Sequence, residues 1–522
     1  MPGRLEVYIP GKVTKLPAGK RAGAPAAGPA HRRERALVVV LCIAAALRVF
    51  FFCAVCPLFN NVDEQAHFDL VLKYSHGHVP STGLENYGRE AAELIVLCGS
   101  PEYLTARSGN VEPPPPPPPW TYPSVRDMPE FQRVASAWTT LTNHEAASFP
   151  VYYAVAGAWC AAGRTFGLRD GRLAYWIRFL DVPLIALLVW VSHLVGATFF
   201  AQRQTLRLGL PLLAAFHPQD IFHSINSDAL SPVLFAAAFL LALWPGRRSR
   251  GTGWQAMTGL AVAATFLVKP SNIAILVVLA IAIFQDCRIA ARAGELGKAL
   301  RSTGALLAAA AVPIGAWLVR NWILMGSLTG AGAKVKFLTW TLKPIGAWWH
   351  HPLFSVRGVE IFLGEITRTF WRGEIVWYRQ VLAHKGMDTF YVVSSAVLLL
   401  VSLTALMITR KKEPEGSRVV ALCFVAVAIS LLFMANVSIA YDFGRCPSPS
   451  RQMPFLLSGR LISGVLVPFL VLYLDGLDRL LAPVRSRVNP VFAVAAVAVA
   501  ITCSELLLVR PMLQSQYNWF HL

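Results

Sequence analysis

Phe149 to Leu168, FPVYYAVAGAWCAAGRTFGL, is the stretch whose reading decides the topology of this chain. It is long and apolar enough to cross a bilayer, for which a helix needs roughly 20 residues. It also contains Arg164 and is rich in Gly and Ala. Eleven other apolar segments recur along the chain: Ala36 to Phe59, Ala174 to Phe200, Leu208 to Ser224, Pro232 to Trp244, Trp254 to Val268, Asn272 to Phe284, Ala305 to Leu324, Phe390 to Thr409, Val419 to Ala440, Leu461 to Leu480 and Val491 to Val509. If Phe149 to Leu168 does not cross, the loops around Arg203, Arg247, Arg288 to Arg301, Arg410 to Arg418 and Arg479 to Arg487 share a side with the basic N-terminal segment. Those five loops hold sixteen Lys and Arg, against three (Lys269, Arg445, Arg451) in the short loops opposite. Cytoplasmic loops carry the excess of basic residues. The segment is therefore read as re-entrant or interfacial, which leaves about eleven transmembrane helices and an extracytoplasmic C-terminal tail.

Composition agrees with this class. Of 522 residues 55% are hydrophobic and only 15% charged, with a mean hydropathy of +0.50; a soluble domain carries about 25% charge. The expected architecture is an all-α, polytopic integral membrane protein. The net charge of +19 does not point to nucleic acid, because the basic residues lie in short clusters between apolar runs. Residues 1–35 hold eight Lys and Arg among Gly, Ala and Pro, without the apolar core of a signal peptide, and read as a disordered cytoplasmic tail. A membrane module over 36–510 follows, with large extracytoplasmic loops at 60–173 and 325–388 and a tail at 511–522. The nine cysteines are scattered; Cys53 and Cys56 have redox spacing but no second pair and read as packing, and Cys98 and Cys446 would share the oxidising side and could pair.

With this topology the polar motifs collect at the outer boundary. Asp63 and Glu64 follow the first span directly, and a carboxylate pair there suits deprotonation of a hydroxyl or metal binding, or simply marks the end of a span. Asn226-Ser227-Asp228, Lys269, Arg320-Asn321 and Arg460 lie at the same depth. Arg460, supported by Arg320 and Lys269, is placed where a lipid phosphate would sit with its tail in hydrocarbon. Asn226 to Asp228 is equally a helix cap, and the cations equally anchor their spans by snorkelling. Glu112 precedes seven prolines, Pro113 to Pro119, a stiff spacer or a partner ligand. The fourth outer loop carries Trp340, Trp348, Trp349, Trp371 and Trp377, an interfacial belt or a platform for sugar or isoprenoid.

Asp63-Glu64-x-x-His67-Phe68, Asn143-His144-Glu145 to Tyr153, Asn226-Ser227-Asp228, Lys269-Pro270, Arg320-Asn321-Trp322 with Gly326 to Gly330, and Ser458-Gly459-Arg460-Leu461 together resemble the polytopic GT-C glycosyltransferases, most nearly bacterial members of undefined substrate. The resemblance runs from about Ala36 to Leu480. It implies a GT-C-like fold in a bacterial inner membrane and transfer of a sugar from a polyprenyl-phosphate donor to an extracytoplasmic glycan, lipid or protein acceptor. It further implies Asp63 as general base with Glu64 as neighbour or alternate, Asp228 as the second-loop acid, and His67, Asn226, Lys269, Arg320, Asn321 and Arg460 at the substrate. The chain departs from the superfamily at His144 to Tyr153, where relatives often read His-Pro-Pro-Leu-Tyr-Tyr, and at Leu461, where they have Tyr. No nucleotide-binding glycine motif is present. No compact His/Cys spacing marks a metal, which leaves a divalent cation open. The rival readings are a transporter or flippase for a lipid-linked saccharide, for which Arg48 and Asp181 are the ionisable candidates within spans, and a non-catalytic scaffold of envelope polysaccharide assembly.

Overall fold

The structure, a computed structural model, describes residues 29–59, 63–104, 115–218, 220–247, 250–409, 414–446 and 448–522. Most of the N-terminal tail, Asn61, Val62 and Glu112 to Pro114 lie outside the described residues. The chain is built of helices: α1 (Pro29–Val55), α2 (Glu64–Ser75), α3 (Arg89–Cys98), α4 (Pro101–Leu104), α5 (Pro129–Thr140), α6 (Pro150–Thr165), α7 (Asp170–Arg178), α8 (Asp181–Phe199), α9 (Gln204–Phe216), α10 (Leu230–Leu243), α11 (Thr252–Phe266), α12 (Ala274–Arg292), α13 (Leu296–Met325), α14 (Ala331–Phe337), α15 (Ile345–Trp348), α16 (Val356–Arg372), α17 (Lys385–Thr409), α18 (Pro414–Ala440), α19 (Leu466–Leu480) and α20 (Pro490–Leu513). Strand pairing among the described residues is confined to three antiparallel couples of two residues per strand, such as Glu85–Asn86 against Thr142–Asn143. The all-α, polytopic membrane class is the one expected.

Each of the eleven expected apolar segments contains a helix, because in hydrocarbon the backbone satisfies itself only that way; Leu208 to Ser224 leaves α9 at Phe216. Eight of the described helical stretches are long and apolar enough to cross a bilayer. Helices α9, α10 and α11, at 13, 14 and 15 residues, are shorter than a full span. The helices are not equivalent. In the most apolar window of Gly459–Leu480, which contains α19, 89% is buried, against 11% in that of Ala299–Met325 within α13; α19 is the central post and α13 lies at the rim. Glycines set the close approaches: a Cβ at Gly476 of α19 would meet the Leu398 carbonyl of α17 at 2.0 Å, and one at Gly259 of α11 the Leu306 carbonyl of α13 at 2.3 Å.

Helix α1 begins at Pro29, so residues 29–35 are helical rather than the end of a tail. Glu34 pairs with Arg207 at 2.9 Å. Arg203 reaches Asp475 at 2.5 Å and Asp478 at 2.8 Å in the same layer, joining the basic loops at one end of the bundle.

Helix α6 carries the segment that decides the topology. It runs beside α2, with Tyr153 on His67 at one end and Arg164 on Ser75 at the other. Arg164 also pairs with Glu90 of α3, and Trp159 stacks on Trp176 of α7 at 4.4 Å. It therefore packs against α2 and α3 of the first loop and against α7, which leads into α8; at 16 residues it is nearly as short as α9 to α11. The C-terminal tail lies on this same face: the Tyr517 hydroxyl donates to the Pro116 carbonyl at 3.0 Å and Trp120 Nε1 to that of His521 at 3.0 Å. Over its described part the proline run is held to the tail through Pro116, while Pro116 and Pro117 stay exposed.

Two expectations change. Trp371 and Trp377 are not an interfacial belt: both are buried, Trp371 with its Nε1 donating to Ser395 and its ring against His217 and Tyr391, while Trp349 remains exposed. Cys98 and Cys446 do not pair and stay free thiols, as do Cys53 and Cys56.

Candidate active site

Asp63 sits in the left-handed region (φ 66°, ψ 5°) at the N-cap of α2, and its carboxylate makes no cap hydrogen bond. Asp is among the few residues that accept this conformation. The twist sends consecutive side chains to opposite sides, Asp63 into a cavity and Glu64 into the protein. The cavity, of about 220 Å³, is lined by Asp63, His67, His144, Glu145, Lys269, Lys334 and Arg460, with Phe149 and Leu461 among its uncharged neighbours.

Arg460 is the hub. Its Nη2 lies 3.3 Å from Asp63, its Nη1 3.2 Å from Asp228 and its Nε 3.5 Å from Glu374. It enters from the turn before α19, where Gly459 packs on α16 so tightly that a Cβ would lie 2.2 Å from the Phe370 nitrogen. Only glycine fits there. Asp228 is fully buried and also pairs with Lys269 at 2.5 Å. The turn that holds it is built by Asn226, whose side chain accepts from the Asp228 nitrogen at 2.8 Å and donates to the Ile221 and Ser224 carbonyls. Asn226 thus shapes the loop rather than facing the cavity.

Burial acts to raise the Asp63 carboxyl. The hydrogen bond with His144 (3.2 Å to Nε2) and the charges of Arg460 and Lys334 overcome it and hold the group well below the usual carboxylate range. Glu145 is held low in the same way, chiefly by Lys334 acting against burial. Burial pulls His67 down to about 4, so it is neutral at physiological pH, with Nδ1 2.7 Å from the Tyr153 hydroxyl. Burial also lowers Lys269, opposed by Asp228.

Of the residues singled out in the sequence, Asp63, His67, Lys269 and Arg460 line this cavity and Asp228 backs it. Glu64 does not reach it: completely buried, it takes a bidentate contact from Arg178 (2.7 and 2.9 Å) and accepts from the Phe59 and Ile225 nitrogens. Arg320 turns to the Pro80 carbonyl and stacks over Trp317 at 4.7 Å; Asn321, fully buried, accepts from Arg320. Neither is among the residues lining the cavity. Arg48 is matched by Glu505 at 2.6 Å.

Residues not singled out for the site complete it: His144 and Glu145 from the loop before α6 and Lys334 from α14 line the cavity, and Glu374 after α16 reaches Arg460 behind it. The pair His144-Glu145 just ahead of Phe149-Pro150 was the available signal. Asp63, His144 and Glu145 offer ligand atoms within 4.8 Å of one another. One imidazole with two carboxylates is a donor set that suits a divalent cation, although each carboxylate already faces Arg460 or Lys334. The arrangement can hold a carboxylate ionised beside a small cavity and set cationic groups around an anion entering it.

Over 93% of this chain the architecture is similar to that of the oligosaccharyltransferase AglB from Archaeoglobus fulgidus in complex with an inhibitory peptide and a dolichol-phosphate, at a TM-score of 0.46 and 10% identity, covering 56% of that chain. The Archaeoglobus fulgidus oligosaccharyltransferase in the apo form matches at a TM-score of 0.45 and 10% identity over 91% of this chain and 56% of its own. The chain spans about half the length of these solved proteins. Among curated proteins no sequence match is found. A family model described as "Predicted membrane protein (DUF2142)" matches residues 35–447.

Proposed function

We propose that this chain, which belongs to the DUF2142 family of predicted membrane proteins over residues 35–447, is a glycosyltransferase that moves a sugar from a polyprenyl-phosphate donor to an extracytoplasmic acceptor. The observation that carries the reading is Asp63: an ionised, partly open carboxylate in a cavity of about 220 Å³ that it shares with Arg460, Lys269 and Lys334. Glycosyl transfer asks for these two things in one place, a base for the acceptor hydroxyl and positive charge for the departing phosphate. Asp63 takes the proton as the acceptor oxygen bonds to the anomeric carbon. The bond from that carbon to the phosphate oxygen breaks, and the phosphate leaves with the electron pair toward the cationic wall. Glycan, lipid and protein acceptors all carry a suitable nucleophile. The excess of basic residues in one set of loops supports an orientation with this cavity on the extracytoplasmic side of a bacterial inner membrane.

Of the two ionisable candidates for a transporter, Arg48 is neutralised by Glu505 within the bundle, while Asp181 is buried with its Oδ2 making no hydrogen bond among the described residues. The test is transfer from a polyprenyl-phosphate sugar in reconstituted membranes. Asp63→Asn is expected to lower turnover by roughly 10²-fold or more with unchanged abundance. Wild-type rates in that variant would remove Asp63 as the base.

A further inference from the structure

Among the described residues, the cations that line the cavity are not equally able to receive an anion. Arg460 is nine-tenths buried and faces three carboxylates. Lys269 is pinned to the fully buried Asp228. Lys334 differs: its side chain is 33% exposed and its one carboxylate partner is Glu145. It stands on α14, which follows two turns at Gly326 and Gly330, both at positive φ (68° and 73°), nine residues beyond the outer end of α13. The last turns of α13 present Val319, Trp322, Ile323 and Leu324 with exposures of 48–72%, and Leu328 follows at 52%. Apolar surface of that extent on a rim helix calls for hydrocarbon. A lipid lying along it would bring its phosphate to the end of α13, and Lys334 is the cation that lines the cavity from there.

Glu145 is built to let go of Lys334. Its carboxylate keeps a hydrogen bond from the Ser148 hydroxyl, and its backbone nitrogen donates to Asn143 Oδ1 at 2.8 Å. The acid therefore keeps its position when the ammonium turns to another anion.

We propose that Lys334 is the contact for the donor's phosphate at the mouth of the cavity, and that Glu145 is an internal anion holding its place until the donor arrives. This rests on the lipid-phosphate donor proposed above. Exchange of one carboxylate for one phosphate keeps Lys334 paired throughout, and the Glu145 carboxylate it leaves keeps the Ser148 hydroxyl and lies 3.7 Å from His144 Nε2.

The experiment measures binding of undecaprenyl phosphate carrying no sugar to the full chain in phosphatidylcholine nanodiscs, with melting temperature recorded for each variant. Lys334→Met is expected to weaken binding about tenfold or more, the scale of a charged hydrogen bond, and Lys334→Arg to preserve most of it. Glu145→Gln removes the competitor and is expected to tighten binding severalfold. That sign separates the proposal from a structural strut, whose loss weakens binding or leaves it unchanged. Equal weakening in both variants, or no change in either, overturns the proposal and leaves the donor class standing. No saturable binding by the wild type overturns the donor class, and the proposal with it.

Discussion

Asp63 and Glu64 are adjacent in the chain and end in opposite electrostatic surroundings. Around Glu64 the guanidinium of Arg178 lies at 2.7–3.0 Å, two backbone nitrogens fill the remaining acceptor positions, and neither side chain is exposed. Around Asp63 the contacts are 3.2 and 3.3 Å, the carboxylate is 27% exposed, and its partner Arg460 is shared with Asp228 and Glu374. The first group is saturated and has nothing left to offer a ligand. The second is under-saturated and faces a cavity. Acidic residues at a membrane boundary are thus not informative by their presence; the number of acceptor positions already filled separates a strut from a site.

The largest expected effect falls on the strut. Arg178→Met strands a buried carboxylate and is expected to cost roughly 3–5 kcal/mol of stability, seen as loss of folded protein in detergent. Asp63→Asn, at a left-handed position that Asn also accepts, leaves Arg460 with two of its three carboxylates and should cost less stability. Equal destabilisation by the two would erase the distinction. Arg460→Lys comes next: one ammonium cannot serve three carboxylates from three nitrogens, so transfer should fall about tenfold or more while the protein still inserts. Wild-type kinetics in that variant would mean that charge alone suffices at the hub.

A smaller effect sharpens the same comparison at His67. Its folded value of about 4 lies below the ordinary 6.5, so between those values the unfolded chain binds a proton that the folded chain refuses. Stability is therefore expected to fall as pH drops from about 6.5 towards about 4. His67→Gln should flatten that part of the melting curve, and an unaltered slope would assign the loss to other groups.

Much of this organisation is legible in the sequence, for a physical reason. Hydropathy is local, so every expected apolar segment contains a helix; where the short α9, α10 and α11 end is set by their packing, which no window of residues encodes. Asp63, Asp228, Lys269 and Arg460 are recognisable because each stands at the end of an apolar run. The direction of a side chain is not legible in that way. Arg320 also stands near such an end and points away to Pro80, and Glu64 is turned inward by the backbone twist at Asp63. His144, Lys334 and Glu374 reach the site through loops whose shape depends on contacts between residues far apart in sequence, 189 positions for Lys334 and Glu145.

The tail after α20 carries a consequence for how the molecule is made. Trp519 lies between Phe50 of α1 and Phe179 beside α7, and Ser515 bonds to Glu102. The first outer loop thus has as part of its floor a segment 401 residues downstream of its own Pro116 and Trp120. On a ribosome adding about 5–20 residues per second, that loop emerges roughly 20 seconds or more before its last support exists. Its final shape belongs to the completed chain, and nascent chains halted before α20 are expected to expose the first loop to protease however well their early helices have inserted.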